Sequence, residues 1–230
     1  TAYEIPKRDW SSDVCSSDLD FTPIGLAVYV PYTLAIYGGL PVSNLREFIA
    51  HAKANPGKLN LGSPGTGSPN HLNGVLLMKL AGITFTHVPY KGGANVLTDL
   101  LSGQMHLAFL SLVTVQPHVA SGRLKVLGVG HTKRLTGAPH IPPIADTVPG
   151  FNNAGWRGLV GPRGLPRDMV ARLNAAINKG ILAPASAQQL IAGGLEPATS
   201  TPEGLQALIA AELQQWRKIL KEANITAATP

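Results

Sequence analysis

The stretch Leu59-Asn60-Leu61-Gly62-Ser63-Pro64-Gly65-Thr66-Gly67-Ser68-Pro69-Asn70-His71 constrains this chain more than any other. An apolar strand runs into a loop of small residues, and the loop runs into a helix. Gly65 and Gly67 permit positive φ and leave no Cβ between the backbone and a guest. Ser68 is placed to cap the helix, and Pro69 to fill its first position, where a missing N–H costs nothing. The first N–H groups of such a helix have no internal acceptor. Together with the positive end of the helix dipole they favour an anion. Spacing alone leaves two readings open: a carboxylate- or phosphate-sized pocket, or a tight strand-to-helix turn.

What surrounds this stretch is an ordinary globular α/β chain. Apolar residues make up 44% of the 230 and charged ones 14%, enough to bury one ample core or two small lobes. No apolar run reaches the roughly 18 to 20 residues that span a bilayer, and the longest, Ile24 to Leu40, is broken by Pro31, Gly38 and Gly39. The net charge of +6 is scattered rather than gathered into basic runs with interleaved aromatics, which suits small anions better than nucleic acid. The lone Cys15 excludes an internal disulfide and a cysteine zinc site. It lies in residues 1–19, where Arg8 to Leu19 shows no helical or strand period and reads as an adapter-derived segment joined to the gene. No apolar core of a signal peptide is present there.

From Asp20 the pattern is orderly. Phe21 to Tyr37 reads as an extended crossing segment interrupted at Pro31. Ser43 or Asn44 caps a helix, with Glu47 in a capping-box relation and Leu45, Phe48, Ile49 and Ala52 on one face. The helix after Ser68 carries Leu72, Val75, Leu76 and Leu80 inward and ends at Gly82. Strands at Ile83 to Val88, Met105 to Leu110 and Leu124 to Gly130 alternate with helices from Ala94 and around Val115. Four such alternations imply parallel strands with right-handed crossovers. Ligands of such sheets sit beyond the carboxyl ends of the strands, where the loops Ser63 to Ser68, Pro89 to Gly93 and Ser111 to Thr114 meet. After a proline-rich connector come a strand at Trp156 to Gly161 and three helices. The first of these turns Met169, Val170, Leu173 and Ile177 inward, and the last begins after Thr201.

Several motifs agree in order and spacing with a known family. Asn55-Pro56-Gly57-Lys58-Leu59-Asn60, the loop Ser63 to Ser68 with His71, and His87-Val88-Pro89-Tyr90-Lys91-Gly92 resemble the substrate-binding proteins of tripartite tricarboxylate transporters, the Bug-type receptors. Thr98 to Gln104, Gly122-Arg123-Leu124-Lys125, and Trp156 with Gly158-Leu159-Val160-Gly161-Pro162 carry the same resemblance. It implies an α/β, type II periplasmic-binding-protein-like fold: two lobes with parallel-rich sheets, the first lobe incomplete because the family's opening glycine-loop unit is missing. The expected division is residues 20–37 as hinge and first-lobe remnant, 38–130 as the second lobe with the ligand loops, and 131–230 as return segment and first-lobe helices.

The function implied is that of a non-enzymatic periplasmic receptor for a small organic carboxylate. It would act as a monomer without cofactor or metal, and deliver to membrane permease subunits of a tripartite transporter or signal to a sensor. The residues expected at the ligand are Ser63, Gly65, Thr66, Gly67, Ser68, His71, Tyr90, Lys91 and Ser111. Gly65, Thr66 and Gly67 would supply N–H donors, and Ser63, Thr66 and Ser68 hydroxyls. His71 either orients the loop or touches ligand, Tyr90 lines the cleft or packs beneath it, and Lys91 is placed to neutralise a carboxylate. Two other classes share the pattern. One is the effector domain of a transcription regulator, which would need a helix-turn-helix segment. The other is a small enzyme using Ser63 and His71 on an anionic substrate, which lacks a nucleophile elbow and a third partner.

Overall fold

The computed structural model describes residues 21–222, so the expectation for residues 1–19 lies outside the described residues. The apolar run at the start is two strands: β1 (Phe21–Val30) and β2 (Tyr32–Tyr37). Pro31 separates them, and with no N–H to give to a ladder it marks the point where the chain changes sheets. β1 pairs antiparallel with β7 (Gly155–Pro162) and with the short β8 (Glu196–Pro197), forming a three-stranded sheet in the order β7-β1-β8.

β2 enters a five-stranded sheet, order β4-β3-β5-β2-β6, that holds β3 (Asn60–Ser63), β4 (Thr86–Pro89), β5 (Leu107–Ser111) and β6 (Leu124–Val129). β3 is parallel to both β4 and β5, as the alternation predicts. β2 runs antiparallel to β5 and β6 and lies between them, which the alternation does not predict. The reason is burial. Leu34, Ala35 and Ile36 are each 0% exposed, so this strand needs cover on both faces and takes a central position.

Side-chain alternation across this sheet builds two cores. Leu34, Ile36, Leu107 and Phe109 point to one side, with Phe48 of α1 (Leu45–Ala54) and Val75, Leu76 and Leu77 of α2 (Pro69–Ala81). Ala35, Ala108 and Leu110 point to the other, with Val96 and Leu100 of α3 (Gly93–Ser102) and Val115 of α4 (Leu112–Ala120). The start of α1 shows the expected capping box: Asn44 Oδ1 accepts from Glu47 N at 3.0 Å, and Glu47 Oε2 accepts from Ser43 N at 2.7 Å. α2 departs from a single stripe. Asn70, His71, Asn73 and Gly74 are buried beside the leucines, while Leu80 is exposed. The helix packs on β3 and β5, and its first turn borders a cleft that β7 also lines.

The second half packs on β1 through α5 (Arg167–Leu182) and α7 (Pro202–Glu222), while α6 (Pro184–Ala192) lies against α5 and β8. Val170 is buried, but Met169 and Leu173 are exposed, contrary to the helical stripe. Asn174 takes the inward position instead, donating through Nδ2 to the carbonyls of Ile24 and Ser200 at 2.7 Å each. α7 begins as expected, with Gly204 N donating to Thr201 Oγ1 at 3.0 Å. Among the described residues no helix is long and apolar enough to cross a membrane.

Candidate functional site

Three loops open at one edge because three neighbouring strands point there. β4, β3 and β5 are adjacent and parallel, so the loops after Pro89, Ser63 and Ser111 share that edge. β2 starts at the same edge, where Tyr32 stands opposite Ser111. The loop from Ser63 to Ser68 is held from within. The Gly65 carbonyl accepts from Ser68 Oγ at 2.7 Å and Ser63 Oγ at 3.0 Å. Gly65 and Gly67 have φ of 144° and 78°, which only glycine adopts without strain. Ser68 caps α2, its Oγ accepting from His71 N at 3.3 Å.

Two of the three expected N–H donors are used in this scaffold. Gly65 N–H donates to Ser63 Oγ at 3.3 Å, and Gly67 N–H to His71 Nδ1 at 3.1 Å. Ser63 itself is 0% exposed. The N–H groups of Thr66 and Asn70 carry no partner among the described residues and sit at the start of α2. They are the donors that the loop and the helix dipole leave for an anion.

Beneath the loop the expected His71 meets a partner, His87, that is not among the candidates the sequence offers. His87 of β4 stacks on His71 of α2, with ring centroids 3.8 Å apart and planes 20° from parallel. His87 Nε2 meets Ser63 Oγ at 2.7 Å. Ser63 Oγ lies 3.0 Å from the Gly65 carbonyl and 2.7 Å from His87 Nε2, and the tautomer of His87 decides which of the two takes the hydroxyl proton. Burial, and then the neighbouring His87, push His71 down to about 4. Burial pushes His87 down as well. Both rings are neutral braces for the loop floor. No local pattern in the sequence marks His87 as a partner of Ser63 and His71; the parallel pairing of β3 with β4 brings it there.

The remaining expected residues fall on the same edge with different tasks. The Tyr90 hydroxyl donates to Asp99 Oδ2 at 2.7 Å and its ring packs on the core beside α3; burial and that carboxylate push it up to about 12. Lys91 is exposed. Ser111 Oγ pairs with Thr114 Oγ1 at 2.7 Å. Beside the start of α2 opens a cleft of about 400 Å³ between the two sheets, lined among others by Tyr32, Leu72, Asn153, Trp156, Glu212 and Trp216. Asn153 is 9% exposed, and its Nδ2 has no hydrogen-bond partner. Trp156 donates its indole N–H to Glu212. Glu212 and Trp216 stand one turn apart on α7, a relation that only the packing of that helix against the cleft turns into a site. Among the described residues no group of three His, Cys, Asp or Glu could hold a metal.

Two sheets joined by crossing strands, with the start of α2 bordering the cleft between them, define an α/β architecture of the periplasmic-binding-protein class. The particular family follows from comparison: the tripartite tricarboxylate transporter family receptor (TctC) profile matches residues 12–225, and the chain belongs to that family. A UPF0065 protein from the tcbD-tcbE intergenic region of Pseudomonas sp. (strain P51) is 34% identical over 92% of this chain and 63% of its own length. The chain thus spans less than two thirds of that relative. The solved structure of R. palustris Rpa4515 with adipate matches at TM-score 0.78 and 33% identity, covering 89% of this chain and 69% of that one. The periplasmic binding protein BugD matches at TM-score 0.74 and 31% identity, covering 89% and 70%.

Proposed function

We propose that the loop edge grips a carboxylate of a small organic solute, and that the chain serves as the receptor of a tripartite tricarboxylate-type transporter. The observation that carries this reading is the start of α2. There the free N–H groups of Thr66 and Asn70 meet the positive end of a 13-residue helix, at the edge where three parallel strands release their loops. The relative solved with adipate supports the ligand class, and the relative described as a periplasmic binding protein supports a location in the periplasm. Delivery to permease subunits is the family's implication and belongs to the same proposal.

The geometry speaks against a serine nucleophile. Ser63 is fully buried, and the His87 ring beside its hydroxyl stacks on another histidine instead of meeting a carboxylate. The test is a thermal-shift series of mono-, di- and tricarboxylates on the 230-residue chain. Binding to the folded state raises the melting temperature with ligand concentration. A rise with at least one class is expected; no rise with any of them overturns the receptor reading.

A further inference from the structure

The cleft carries a carboxyl group that the loop edge does not explain. Glu212 and Trp216 of α7 line the cleft together with Trp156 of β7 and Tyr32 of β2. Burial pushes the Glu212 carboxyl up, against the hydrogen bond from Trp156 that pulls it the other way. The described residues pair Arg134 with Asp146 at 3.8 Å, but none of them offers Glu212 a basic partner. A carboxyl drawn out of water without a cation is costly, and a bound cation would relieve that cost. Indole and phenol faces beside it attract the same kind of group.

The same lining also carries groups of the opposite character. Arg157 lines the cleft, Pro69 and Leu72 bring the start of α2 to it, and Asn153 Nδ2 is a buried donor without an acceptor. A plain di- or tricarboxylate gripped at α2 would turn a second carboxylate towards Glu212, a like-charge contact. A solute with one carboxylate and one cationic nitrogen suits a lining that holds both Glu212 and donors such as Arg157 and Asn153. We propose that Trp156, Trp216 and Glu212 form a subsite for a cationic nitrogen, so that this receptor selects an amino-carboxylate or betaine over a polycarboxylate. This rests on the receptor reading above and names its substrate class.

The test uses two solutes of nearly equal length and opposite terminal charge, adipate and 6-aminohexanoate, with glycine betaine as the compact case. Each is titrated into the 230-residue chain, and binding is followed by tryptophan fluorescence and melting temperature. At least one zwitterion is expected to bind about tenfold more tightly than adipate and to change the fluorescence of the cleft indoles. Glu212→Gln should abolish that preference while adipate binds as well as before or better. Trp156→Phe, which keeps a ring but removes the indole N–H, should weaken the zwitterion alone. Adipate binding at least as tightly as both zwitterions, or a preference that survives both substitutions, overturns the cation subsite and leaves the receptor standing. Binding of none of the three, together with no response to other carboxylates, removes both readings.

Discussion

His71 and His87 lie stacked at 3.8 Å beneath the ligand loop, and neither can take a proton without cost. His71 Nδ1 accepts from Gly67 N–H, so protonating that nitrogen breaks the bond that fixes the loop tip. Its pKa is pushed to about 4 from an ordinary 6.5, chiefly by burial. Between these values the unfolded chain binds a proton that the folded chain refuses, so stability is fully present above about pH 6.5 and is lost as pH falls towards 4. Urea unfolding at about pH 7 and about pH 4.5 should show a loss on the order of 2 kcal/mol, part of it shared by His87. His71→Gln, neutral throughout, should flatten the slope in that window; an unchanged slope shows that His71 does not titrate as its surroundings require. The sequence made Ser63, Gly65, Ser68 and His71 legible because they are local to one loop. His87, 24 residues beyond Ser63, enters through strand pairing, which no local pattern encodes.

Elements are legible in the sequence wherever caps and glycines punctuate the chain. α1 carries its capping box, and α2 and α3 end at Gly82 and Gly103 with φ of 63° and 84°. β2 was harder. Its residues look like a continuation of β1, and only the unpaired space between β5 and β6 decides that it joins the other sheet, antiparallel. The exposed Met169 and Leu173 have a similar cause: periodicity reports an apolar face, but the asparagine bonds of Asn174 fix which face turns inward. The placement of β2 has a testable consequence at its end. Gly38 follows the strand and donates to the Arg123 carbonyl at 2.8 Å, and a Cβ there would run into the backbone carbonyls of Gly122 and Arg123. Backbone atoms cannot step aside as a side-chain tip can. Gly38→Ala should therefore cost roughly 2 kcal/mol in chemical denaturation, through strain where β2 meets β6. A neutral effect would mean that β2 does not close against the turn before β6 in this way.

At the scale of the molecule the question is whether the two sheets fold as one body. α7 joins them. Near its start Leu205 is 0% exposed and packs over Gly158 of β7; near its end Ile219 is 5% exposed and lies in the core of the five-stranded sheet. Fourteen residues separate these anchors, about 21 Å of helix, so one rigid element is clamped at both ends to different sheets. The Thr136 N–H and hydroxyl add a polar tie from the connector after β6 to Glu196 of β8, at 2.6 and 2.8 Å. The cleft with Glu212 and Trp216 lies along the same helix between its anchors, so the placing of these two side chains depends on both clamps. Ile219→Ala removes the second clamp at a site remote from the loop edge. It should destabilise the chain by about 2–4 kcal/mol as a core truncation. Because that helix end is then released, amide exchange should rise from about residue 212 onward while residues 202–208 stay protected. The parent chain should melt in one calorimetric transition, and the variant should keep one at lower temperature if the sheets share a cooperative core. Two transitions in the parent chain would instead make α7 a tether between independently folding lobes. In that case, loss of the clamp at Ile219 would alter solute affinity without lowering the stability of the five-stranded sheet.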